Sequence, residues 1–75
     1  MSDQATPFSV SDIEYNLITT LSNLLQSEEV LARYTIDAEE AGEIEVAATF
    51  RQLRDYNGQV ALRMRESLHR LINKN

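Results

Sequence analysis

A lone glycine, Gly42, separates two runs of this 75-residue chain that each carry a helical repeat, and Pro7, far upstream of both, is its one proline. Before the glycine, apolar residues fall at Ile13, Leu17, Leu21, Leu24, Leu31 and Ala38, with Ile18, Leu25 and Ala32 widening the stripe. Steps of three, four or seven keep such residues on one face of an α-helix. After it, Val46, Phe50, Leu53, Val60, Met64, Leu68 and Leu71 repeat the pattern. Glycine accepts the left-handed conformation that often ends a helix. A link of one to three residues then forces the helices antiparallel. The expected fold is all-α: an antiparallel two-helix hairpin with helix 1 over about 11–41, a turn at Gly42 and helix 2 over about 43–72. Residues 1–10 are expected to form a flexible arm outside the hairpin of 11–73. Two helices of this size are each on the order of 45 Å long.

The first helix carries its own start signal in "SVSDIEY": Ser11 is a candidate N-cap with Glu14 three residues on, and Val10 and Tyr15 have the spacing of a hydrophobic staple. At the turn, "DAEEAGEIE" gathers Asp37, Glu39, Glu40, Glu43 and Glu45. Glu43 and Glu45 suit the positive N-terminal end of helix 2, whereas Asp37, Glu39 and Glu40 oppose the negative C-terminal end of helix 1. The five acids are therefore read as serving solubility or contact with another protein.

Size and charge narrow the function. A chain this short buries too small a share of its surface to be comfortable alone, which points to oligomerisation. There is no cysteine, so disulfides, thiolate metal sites and cysteine nucleophiles are excluded. No apolar run approaches the roughly 20 residues of a membrane span, and the first seven residues lack the basic start and apolar centre of a signal peptide. The expectation is a cytoplasmic protein away from membranes. The net charge of −5 sets it against polyanions. Arg51, Arg54, Arg63, Arg65, Arg70 and Lys74 make the second half basic. They are read as a solvated or salt-bridged face that complements the acidic first half, not as a nucleic-acid surface.

Folding the chain about Gly42 brings Tyr34 level with Phe50, Leu31 with Leu53, and Leu21 with Met64. The layers are apolar except in the middle, where Ser27 and Glu28 meet the level of Tyr56 and Asn57. Ser27, Glu28 and Asn57 form the expected polar core layer. Glu28 and Asn57 each interrupt an apolar stripe, and a polar group is costly to bury without a hydrogen bond, so a contact between them, within a chain or across a dimer, that fixes helix register is expected. Two helices leave one apolar groove open. A second copy closes it most simply, as a two-fold four-helix bundle.

The run "SEEVLARYTIDAEEAGEIEVAATFRQLRDYNGQV", with an aromatic before the acidic turn, a single glycine at that turn and a phenylalanine opening the next helix face, resembles one helical hairpin of the ferritin-like, rubrerythrin-type family. The likeness covers about residues 20–70. It is also similar to short bacterial helical-hairpin proteins, cyanobacterial ones included. The resemblance implies a di-metal site built from a Glu on one helix and Glu-x-x-His on the next, because hard carboxylates bridge the metals while imidazoles cap them. Laid on this chain, those places fall on Ser27, Asn57 and Val60, none of which is such a ligand. Glu28 is one position off. Glu66 and His69 have the Glu-x-x-His spacing but lie nine residues from the family's place, near the C-terminus, and are read as surface residues.

No nucleophile with a base and no phosphate-cradling glycine loop is offered, so no catalytic residue and no cofactor are expected. Gly58, inside helix 2, costs about 1 kcal/mol relative to alanine and is read as a point of close packing. Tyr15, Tyr34 and Tyr56 are read as aromatics at the core edge with wet hydroxyls. The leading functional reading is a non-enzymatic, homodimeric assembly or protein-interaction module. The alternative is a ferritin-like metal-binding protein whose site is built across a dimer from Glu28, Tyr56 and Asn57.

Overall fold

The computed structural model describes residues 11–74 and is a hairpin of two helices, α1 over Asp12–Glu40 and α2 over Ile44–Asn73. The arm expected over 1–10, and with it Val10 of the staple, lies outside the described residues. The molecule measures 52 × 20 × 16 Å, the proportions of two helices side by side. Among the described residues no helix is long and apolar enough to cross a membrane.

Local chemistry sets the ends of α1. The Glu14 amide donates to Ser11 Oγ at 3.1 Å and the Ser11 amide donates to Glu14 Oε1 at 3.0 Å, so two otherwise unpaired amides of the first turn are satisfied reciprocally. At the other end the chain turns within Ala41, Gly42 and Glu43. The Gly42 amide donates to the Glu39 carbonyl and the Glu43 amide to the Ala38 carbonyl, at 3.0 and 2.8 Å, the bond pair of a Schellman motif. Gly42 has φ of +77°, where a side chain is strained although nothing would crowd its Cβ. Glu43 caps α2 through backbone position alone, with no side-chain bond.

The buried residues define a narrow seam. Leu31, Thr35 and Ala38 of α1 and Ala47 and Ala61 of α2 are buried, flanked by half-buried Leu17, Leu21, Leu24, Phe50, Met64 and Leu68. The register about the turn is the expected one: the Tyr34 and Phe50 rings lie 5.8 Å apart at a tilted angle. Thr35 enters the seam because its hydroxyl donates to the Leu31 carbonyl one turn back, at 2.8 Å, leaving its methyl to pack.

The stripe expected on α2 is displaced. Val46 and Leu53 are 43% and 46% exposed, while the small residues Ala47 and Ala61 hold the seam. Ile13 of α1 is likewise exposed. A single neighbouring helix covers only part of an apolar stripe, and the small residues fall where the backbones come nearest. Large apolar side chains are left on the shoulders of the hairpin.

Gly42→Val should lower the stability of the hairpin by about 1–2 kcal/mol through left-handed strain alone. Thermal unfolding followed by circular dichroism checks this. An unchanged midpoint would mean that the turn can relax out of the Schellman geometry at no cost.

Candidate functional site

Three places drew attention in the sequence: the polar layer, the acidic tip, and the Glu66–His69 pair. In the polar layer, Asn57 Nδ2 donates to Ser27 Oγ at 3.5 Å, and Ser27 Oγ itself donates to the Leu24 carbonyl at 2.7 Å. Within the chain, Asn57 therefore pairs with Ser27 and not with Glu28. Glu28 is half-buried, and its Oε2 comes within 3.8 Å of where a Cβ on Gly58 would stand. Neighbouring residues of a helix point about 100° apart. The Ser27–Asn57 bond and the Glu28–Gly58 approach thus mark the two opposite flanks of the seam. The layer is split between them.

This geometry bears on the metal-binding alternative. Tyr56 and Gly58 are about 200° apart around α2, so within one chain Tyr56 cannot face the carboxylate that lies against Gly58. Tyr56 opens instead onto a groove with Val60, Arg63, Met64 and Ser67. Among the described residues no three histidine or carboxylate side chains come together in a group able to hold a metal ion.

The two flanks differ in character. One carries Tyr34, Val46 and Phe50 beside Asp37 and Ala38 near the tip. The other holds Glu28 with Arg54, Asp55, Gly58, Gln59 and Leu62 at mid-height, and Ile18, Leu21, Leu25 and Leu68 toward the open end. Gly58 faces this second flank. An added methyl there would meet only the end of the Glu28 side chain at ordinary contact distance, so close helix approach within the hairpin does not explain the glycine.

At the tip, Asp37, Glu39, Glu40, Glu43 and Glu45 are all exposed. Glu39 is ion-paired with Arg51 of α2, with both side chains about half exposed, a contact that contributes about 0–1 kcal/mol. The last turn of α1 contains no basic residue to offset its carboxylates. The basic residues of α2 do not form one stripe: Arg51, Arg54 and Arg65 lie toward the Glu28 flank, whereas Arg63 and Arg70 point about 100–180° away from them. Near the C-terminus, the Asn73 side-chain amide contacts the His69 ring at 3.0 Å, and Glu66 and His69 line a shallow groove with Leu62 and Arg65. Set against known proteins, the chain matches no family model, no curated protein and no solved structure.

Two measurements follow from these placements. Gly58→Ala should raise stability by up to about 1 kcal/mol, the helix-propensity difference, since the methyl has room. A loss in urea unfolding would mean that something beyond the hairpin closes over Gly58. Asp37→Asn and Glu40→Gln should each stabilise the fold by about 0.3–1 kcal/mol at low ionic strength by relieving the conflict with the α1 terminus, and the gain should shrink in salt. No change at low salt would show that these acids are already compensated.

Proposed function

We propose that the chain is a non-enzymatic assembly module whose working form is a homodimer, two hairpins closing into a four-helix bundle. The observation that carries this reading is the surface the hairpin leaves uncovered. Among the described residues, large apolar side chains stand in solvent, including Ile44 at 68%, Tyr56 at 63% and Ile13 at 62%, more than a hairpin with a single seam can cover.

The likeness to a ferritin-like hairpin supports the same end state, a bundle of four helices. It does not extend to that family's chemistry, since Ser27, Asn57 and Val60 stand where its ligands would be. Catalysis therefore has no part in the reading. The acids Asp37, Glu39, Glu40, Glu43 and Glu45 remain at the end of the bundle, where a second protein of basic character would meet them. A chain without cysteine suits the cytoplasm.

Light scattering coupled to gel filtration at micromolar concentration should return twice the 8.6 kDa chain mass. The monomer mass would contradict the proposal. Metal analysis of protein purified without chelator should find no stoichiometric metal, and iron or manganese at one or more per chain would instead support the metal-binding alternative.

A further inference from the structure

The hairpin offers two flanks to a second copy, and their composition differs sharply. On the side marked by the Ser27–Asn57 bond, the seam and flank positions run by threes and fours from Ile13 to Ala38 on α1 and from Val46 to Leu71 on α2, and no residue among them is charged. The exposed or half-exposed apolar groups there are Tyr34, Val46, Phe50, Leu53, Val60 and Met64. On the other side the same spacing runs from Glu14 to Glu39 and from Ala47 to Ile72, and it includes Glu14, Glu28, Glu39, Arg51, Arg54 and Arg65. Covering that side would strip water from six charges, of which one pair, Glu39 and Arg51, is joined. Covering the first side meets charge at its rim, where Asp37 and Glu43 border the groove of Tyr34, Val46 and Phe50 and Arg63 borders that of Val60 and Met64.

The polar pair sits where a second copy needs it. Ser27 is 15 residues after Asp12 and 13 before Glu40, and Asn57 is 13 after Ile44 and 16 before Asn73, so both are near the middle of their helices. A second hairpin in full overlap, pointing either way, brings its own Ser27 and Asn57 level with these. Asparagine carries two donor hydrogens and an acceptor oxygen, and the bond to Ser27 uses one hydrogen. The remaining groups can be satisfied only by water or by another polar layer. A copy shifted along the axis would press them against apolar side chains.

We infer that the second copy seats on the Tyr34–Val46–Leu53–Val60 flank, with the Ser27–Asn57 pairs of both copies meeting in a single layer that sets the register. This rests on the dimer proposed above. The mid-helix placement of the Ser27–Asn57 pair, which a second hairpin in full overlap matches with its own, supports a second copy as the occupant, and the charge pattern selects the flank. A buried asparagine setting the register of a helical seam is an established device.

Single substitutions separate the two flanks. Leu53→Glu should reduce the mass in solution to that of one chain, while Leu25→Glu, on the charged flank, should leave the dimer intact. A native dimer that survives Leu53→Glu, or that dissociates with Leu25→Glu, overturns the choice of flank and leaves the dimer standing. A native monomer removes the dimer itself. Because the chain contains no cysteine, a thiol placed at either position reports on burial independently of any loss of folding. In the otherwise native dimer, the thiol of Leu53→Cys should react with a maleimide about tenfold more slowly than that of Leu25→Cys, and equal or reversed rates overturn the assignment. Asn57→Leu should replace the single dimer with a mixture of assemblies, and a uniform dimer of unchanged mass would overturn the role of the layer.

Discussion

A two-helix hairpin has one seam, and the width of that seam governs everything else in this molecule. Each helix carries an apolar stripe broader than a single neighbour can cover. The inner edge of the stripe is taken by Leu31, Thr35, Ala38, Ala47 and Ala61, and the outer edge stays wet. Three of these five are alanines, which contribute little apolar area each. An interior built from so few small groups offsets only part of the conformational entropy of ordering some sixty residues. The chain therefore has a well-defined shape and an incomplete core.

The turn makes that shape definite. The capping box at Ser11 and Glu14 and the Schellman turn at Gly42 satisfy helix-end amides and carbonyls without help from packing, and the turn sets which residues stand level across the seam. Register then decides what each shoulder displays. One carries charge at its rim, at Asp37, Glu43 and Arg63, and the other mixes carboxylates and guanidinium groups along its length. Of the tip acids, Asp37, Glu39 and Glu40 set themselves against the end of α1, which makes them poor candidates for fold stabilisers and better ones for contact groups.

Much of this was legible in the sequence because it depends on local chemistry. The glycine, the capping box and the uninterrupted stripes locate both helices to within a residue or two, and counting from Gly42 places Tyr34 opposite Phe50, as found. The core was less legible. Periodicity gives most weight to large apolar residues, so Val46 and Leu53 were expected inside, but angular position admits Ala47 and Ala61 first. Thr35 looked polar and is buried because its hydroxyl turns back to the helix that carries it. The polar layer fell at the right level, and its contact within the chain runs from Asn57 to Ser27. One residue of rotation sends Glu28 to the Gly58 flank and leaves Ser27 for Asn57, a distinction that level alone does not make. The Leu53 flank stood out only once these two contacts had separated the sides.

The central claim is that folding and association are one event. Urea unfolding followed by circular dichroism over a hundredfold range of protein concentration tests it most directly. If the second copy completes the core, apparent stability rises by about 1.4 kcal/mol for each tenfold increase in concentration, and the midpoint moves to higher urea. A midpoint independent of concentration throughout, with a chain that is fully helical in the absence of urea, would show that the hairpin stands by itself and would contradict the account.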